Sequence, residues 1–259
     1  MGLLAGVLLM SVTACVGKVP EPAASSSAPT ELAVPTPMPL DRSCTGEVPS
    51  GIEQHSLRAA DGSLINTGWL GSGDMAAVLL HQTDGYGLCG FLFYADYLAA
   101  HGVRVVAMDL CGYGQSFCVG RPLGDDPSGQ VKLVTDAVRA EGATRVVLVG
   151  ASMGGSVSLT AAKAVEADAI VDLSGPAEFG HSSLADDAAD VTMPALFAYS
   201  SIDESDLDDV RKALPRMPSK KKQVLTYEVG HGYELLRDPA SLEFTPLAKR
   251  VLGWVTKGT

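Results

Sequence analysis

One stretch, Val146-Val147-Leu148-Val149-Gly150-Ala151-Ser152-Met153-Gly154-Gly155, constrains this chain more than any other. Its β-branched and aliphatic half reads as a strand buried on both faces, the kind found in parallel sheets. It breaks at Gly150-Ala151-Ser152-Met153-Gly154 into a helix-compatible segment, 156–165. A turn this sharp between strand and helix needs residues without a Cβ beside the serine, and Gly150 and Gly154 supply them. Ser152 would then stand clear of the sheet at the N-terminus of a helix, where unpaired N–H groups and the dipole favour negative charge. That is the local context of a nucleophilic serine with an oxyanion site beside it.

The rest of the chain alternates in a compatible way. Segments 52–58 and 64–70 read as strands joined at Asp61-Gly62, a favoured hairpin pair. Further strands are expected at 75–81, 104–110, 146–149, 169–173, 195–199 and 223–229, with helices at 91–101, 127–141, 156–165 and 241–255. Strands separated by helices imply an α/β fold, a mostly parallel central sheet covered by helices on both faces.

Ahead of this lies a different kind of sequence. An apolar run at 3–10 ends in Val12-Thr13-Ala14-Cys15, too short to span a bilayer, and reads as an export signal over 1–14. The small residues before Cys15 resemble a bacterial lipobox, which implies cleavage before Cys15, a lipid on its sulfur, and residence on the outer face of the cell membrane. Residues 15–43 are rich in Pro, Ala, Ser and Thr without hydrophobic periodicity, and read as a disordered tether. Residues 44–259 remain as one domain large enough for a substantial core.

Net charge of −11 and a pI near 4.8 exclude the positive face that nucleic acid or an anionic membrane surface would require. Membrane contact is therefore expected only through the N-terminal lipid. Four cysteines stay in the domain: Cys44, Cys89, Cys111 and Cys118. In an exported protein an even count points to two disulfides, with three connectivities open, while a domain of this size could also hold buried free thiols. The spacing has no Cys-x-x-Cys or paired-His pattern for zinc.

From Glu53 onward the chain resembles the α/β-hydrolase superfamily. The resemblance is carried by Leu79-Leu80-His81-Gln82-Thr83, Asp109 to Ser116, Gly150 to Gly155, Ser200-Ser201-Ile202-Asp203 and Gly230-His231-Gly232. It implies a Ser-Asp-His order. Serine needs a base to take its proton and an acid to orient that base. Of five histidines only His181 and His231 follow Ser152, and His231 stands in a glycine-flanked loop after a strand. Asp203 is the expected acid, with Ser200 where glycine is usual; Glu204, Asp206 and Asp208 are near enough to compete, Asp172 ends the preceding strand, and a cluster this acidic equally suits a solvated loop.

By the same resemblance the oxyanion donors are the N–H of Met153 and that of Gln82 or Thr83, Gln82 standing in place of the usual glycine. His81 reads as a loop anchor, Asp109 as a brace for the loop of Gly112 and Gly114, and Tyr86 and Leu88 as lining the mouth. Only residues 175–194 separate the sixth and seventh strands of the main sheet, too few for a large cap domain, so an open site for small or extended esters is expected. The implied activity is a serine hydrolase of carboxylic esters, acting on a small-molecule ester without metal or organic cofactor; the oligomeric state is left open. The fold equally serves peptidases, thioesterases, acyltransferases and non-catalytic tethered binding proteins.

Overall fold

The computed structural model describes residues 36–120 and 125–258; the expected export signal and Cys15 lie outside them. Eight strands form one sheet in the order β1-β2-β4-β3-β5-β6-β9-β10. They are β1 (Glu53–Arg58), β2 (Leu64–Leu70), β3 (Met75–Leu80), β4 (Arg104–Met108), β5 (Arg145–Ala151), β6 (Ala169–Leu173), β9 (Ala195–Ser200) and β10 (Lys222–Tyr227). β1 and β2 pair antiparallel, as do β2 and β4, and every other pairing is parallel. β7 (Glu178–Phe179) and β8 (Ser182–Ser183) form a separate small hairpin. The sheet is mostly parallel, as the alternating pattern requires.

The central strands are buried nearly throughout, and successive side chains face opposite layers. Val146 and Leu148 of β5 face one layer of core, Val147 and Val149 the other, and both layers exclude water. The first layer holds α3 (Pro127–Ala140), α4 (Met153–Ala162) and α6 (Glu204–Ala213); the second holds α2 (Leu92–Ala99) and α7 (Pro246–Lys257). α3 starts on Asp126, whose carboxylate accepts from the Gly129 N–H at 2.9 Å, with Pro127 in the first turn. α7 stops on Gly258 in the left-handed region at φ 69°.

Three expectations shift. The last part of the expected tether is ordered: α1 (Leu40–Ser43) is a single helical turn, Leu40 is buried, and the Met38 carbonyl accepts from Gln115 Nε2 at 2.9 Å and Gln54 Nε2 at 3.1 Å. The segment after Asp203, read as an acidic loop, is helix α6, which buries Leu207, Val210 and Ala213. The final helix begins at Pro246 rather than 241, because Arg237 and Phe244 pair across a bridge and Pro246 then occupies the first turn.

The cysteines pair as Cys44–Cys89 and Cys111–Cys118. The first ties the residue after α1 to the loop after β3, and the second closes the loop after β4. Between β6 and β9 lie the β7–β8 hairpin, the helical turn α5 (Leu184–Asp187) and a 3-10 turn (Ala188–Asp190), too little for a large cap over the sheet.

Candidate active site

Ser152 sits between β5 and α4 at φ 49°, ψ −118°, a conformation rarely adopted by residues with a side chain. Its surroundings over-determine it. The Ser152 N–H donates to the Leu173 carbonyl at 2.8 Å, and its carbonyl accepts from the Gly155 and Ser156 N–H groups at 2.7 and 3.3 Å. A Cβ on Gly150 would come within 1.9 Å of the Gly154 carbonyl, and one on Gly154 within 2.0 Å of the Leu80 carbonyl. Both glycines are thus required for α4 to start against the end of β3. The Met153 N–H stands at the free N-terminus of that helix.

The C-terminal ends of β9 and β10 bring the next two groups together. His231 Nδ1 lies 2.8 Å from Asp203 Oδ1, with Asp203 8% exposed and His231 35% exposed at their side chains. The adjoining Gly232 packs toward Ala151, where a Cβ would sit 3.2 Å from the Ala151 methyl, so the histidine loop abuts the turn that carries Ser152. Two serines join these loops: the Ser200 hydroxyl donates to the Gly230 carbonyl at 2.5 Å, and the Ser201 hydroxyl to the Glu228 carbonyl at 2.6 Å. Ser200, where glycine is usual, therefore links the acid loop to the base loop.

Three of the four competing carboxylates are engaged elsewhere. Asp206 accepts from the Ala177 N–H at 3.0 Å and Asp208 pairs with Arg211. Asp172 is fully buried, with Oδ1 accepting from the Gly175 N–H at 2.7 Å and Oδ2 lying 2.8 Å from the Tyr199 hydroxyl. Burial, with the nearby Asp206 and Asp203 charges, pushes its carboxyl up to about 7 against the opposing hydrogen bonds. The Tyr199 oxygen is also 2.7 Å from the Gly175 carbonyl. One phenolic proton cannot serve two acceptors. A protonated Asp172 donating to Tyr199, which in turn donates to Gly175, satisfies all of them.

His81 is buried, and the Leu110 N–H donates to its Nε2 at 3.1 Å, so its proton is on Nδ1, which donates to the Gln82 carbonyl at 2.8 Å. Burial lowers its pKa and keeps it neutral. Because the peptide is trans, pinning the Gln82 carbonyl toward His81 turns the Thr83 N–H the opposite way, and Thr83 is exposed. The Gln82 side chain is buried instead, its Oε1 without a hydrogen-bond partner and directed at Gly232, where a Cβ would come within 2.0 Å.

Asp109 braces two loops, accepting from the Leu88 N–H at 2.7 Å, Gln115 N–H at 2.8 Å and Asn66 Nδ2 at 2.8 Å. Tyr86 and Leu88, expected at the mouth, do not line the cavity that Met153 lines. Tyr86 is exposed, and Leu88 is in the core; both line a cavity of about 340 Å³ with Leu40, Asn66 and Asp109. The cavity next to the elbow is a different one, bounded by Met153, Tyr113 and the β7–β8 hairpin. Reading from sequence misses the hairpin because two-residue strands carry no periodicity. Among the described residues no cluster of His, Cys, Asp and Glu has the makings of a metal site, and no helix is long and apolar enough to cross a membrane.

Sheet order, elbow and paired Asp and His after successive strands define a hydrolase of the α/β class. The model of the alpha/beta hydrolase family matches residues 77–254, and the chain belongs to that family. Among curated proteins none matches its sequence. It is similar in structure to an esterase of Pyrococcus furiosus (TM-score 0.62, 14% identity, 78% of this chain and 91% of that one). A dienelactone hydrolase of Anabaena variabilis is alike to a similar degree (TM-score 0.61, 17% identity, 78% and 96%). So is the thioesterase domain from the curacin biosynthetic pathway (TM-score 0.60, 16% identity, 78% and 100%).

Proposed function

We propose that the chain is a serine hydrolase of carboxylic esters. The observation that carries this is the 2.8 Å pair of His231 Nδ1 and Asp203, in a loop whose Gly232 packs toward Ala151, the residue before a serine at φ 49°. In the reaction, Ser152 Oγ attacks the ester carbonyl and its proton passes to His231 Nε2. The N–H groups of Met153 and Thr83 hold the oxyanion, and collapse releases the alcohol with that proton. Water, deprotonated by His231, then attacks the acyl-enzyme; the acid leaves and Ser152 regains its proton. Asp203 keeps the Nδ1 proton directed inward and stabilises the imidazolium. Through the lipobox at Cys15 we place the enzyme on the outer face of the membrane, on its tether.

Hydrolysis of p-nitrophenyl esters from acetate to palmitate, by the oxidised domain and by Ser152→Ala, tests the reading. Loss of a nucleophile costs roughly 10³-fold or more. Equal rates in the two proteins would reject it.

A further inference from the structure

We propose that the free edge of β10 joins two copies of this chain, antiparallel about a two-fold axis at Leu225, so that two sheets become one. The interface is independent of the reaction. β10 is the last strand of the sheet, and β9 is the strand it pairs with. Lys222 lies opposite Ala195, and the Ala195 N–H donates to the Lys221 carbonyl at 2.9 Å. In a parallel ladder the residues on either side of such a pair carry the bonds, so Lys221, Gln223 and Leu225 turn their backbone groups toward β9. Lys222, Val224 and Thr226 turn theirs outward, and among the described residues no turn or cap takes them.

An open edge pairs with another strand unless charge, proline or a covering element prevents it. Residues 223–227 contain neither charge nor proline, and Gln223, Val224, Leu225 and Tyr227 are only partly buried. Apolar surface continues past the strand end, where Val229 is 75% exposed and Ile202 is 68% exposed. Charge identifies the occupant. The one run of three basic residues, Lys220-Lys221-Lys222, stands at the start of this edge, and Glu228 stands just beyond its end. A second copy running antiparallel therefore brings opposite charges together at both ends. Charge also fixes the register. Only residues with outward groups can exchange hydrogen bonds, and Val224 opposite the partner's Thr226 sets Lys222 against the partner's Glu228, twice by symmetry. The neighbouring registers set Lys222 against the partner's Thr226 or the partner's Gly230 and lose the charge pair. In the favoured register Leu225 meets the partner's Leu225 at the axis, and Gln223 meets the partner's Tyr227.

The test combines mass and cross-linking. The mass of the full chain in detergent solution is measured by sedimentation equilibrium for the parent, Lys222→Glu, Glu228→Lys and the double variant; the charge variants separate strand pairing from two chains sharing a micelle. The expected result is a dimer whose Kd rises roughly tenfold or more in either single reversal, which sets like charges opposite each other at two places. The double variant should recover most of that loss, because the pair is restored with its signs exchanged. Leu225→Cys should give a disulfide-linked dimer under mild oxidation, since non-hydrogen-bonded partners stand about 4.5 Å apart at Cα. Gln223→Cys, opposite the partner's Tyr227, should not. A parent that stays monomeric at the highest concentration measured would overturn the interface. So would a dimer indifferent to both reversals and cross-linked equally through positions 223 and 225.

Discussion

The Ser200 hydroxyl, 2.5 Å from the Gly230 carbonyl, joins the strand end that carries Asp203 to the loop that carries His231. It also lies 3.4 Å from Asp203 Oδ2, but its single proton serves the shorter contact. The pairing of acid and base thus draws on a side chain at a position where a glycine would leave the Ser201 bond to the Glu228 carbonyl as the remaining side-chain link between the two loops.

Replacing Ser200 by alanine removes that connection without touching substrate. A neutral hydrogen bond contributes about 1 kcal/mol, so kcat should fall roughly five- to tenfold with KM nearly unchanged. Steady-state kinetics on an ester substrate check it. A drop in Tm with kcat intact would show that the bond supports folding alone.

Asp172 gives a prediction in pH. Its folded pKa of about 7 stands above the ordinary carboxylate value of 3.8, so between those limits the folded protein holds a proton that the unfolded chain has lost. Stability therefore declines as pH rises from about 4 to 7 and levels off above. Asp172→Asn mimics the protonated acid: its amide donates to Tyr199 and its carbonyl accepts from Gly175. Denaturant titrations should find the variant close to the parent at pH 4 to 5 and more stable above pH 7, by up to a few kcal/mol. Parallel curves for the two proteins would mean that Asp172 is not the titrating group.

The two disulfides should differ in consequence. Cys44–Cys89 closes 45 residues of chain and Cys111–Cys118 closes 7. On the chain-entropy account the first contributes about 4 kcal/mol and the second about 2.5. Paired alanine variants compared by chemical denaturation should therefore lose more in the first case. The reverse order would indicate that local strain or residual structure dominates.

What is legible in the sequence follows from the strength of each pattern. The elbow stands out because a run of apolar β-branched residues ends in glycines that the close approach of α4 to β3 requires. Both core layers follow from unbroken apolar runs in strands such as β5, whose successive side chains enter opposite layers. Helix α6 is hidden by its charge: Glu204 and Asp206 suit a helix N-terminus, and the signal that remained was Leu207, Val210 and Ala213 at helical spacing. Leu88 is misjudged because its place is set over long range, by Asp109 and by the neighbouring Cys44–Cys89 bridge. No local pattern encodes such contacts, and none separates the three cysteine connectivities.

The exchange of size between Gln82 and Gly232 supplies the last prediction. Gln82 is buried where the family usually has glycine, and its Oε1 occupies the space that a side chain at 232 would need, 2.0 Å from a built Cβ. Gly232 is also at φ 58°, where alanine adds a modest strain of its own. Gly232→Ala alone must displace either the glutamine, and with it the loop bearing Thr83, or the turn bearing His231. Activity should fall at least tenfold, since either shift moves a group the reaction needs within a hydrogen-bond length. Gln82→Ala alone should cost less, because it deletes an unpartnered oxygen. The double variant should recover part of the loss, leaving the backbone strain at 232 as the residue. A coupling of about 1 kcal/mol or more in the kcat/KM cycle is the expected outcome for groups in contact. Strict additivity would show that the two loops adjust independently, and that Gln82 does not hold the base turn against the oxyanion loop.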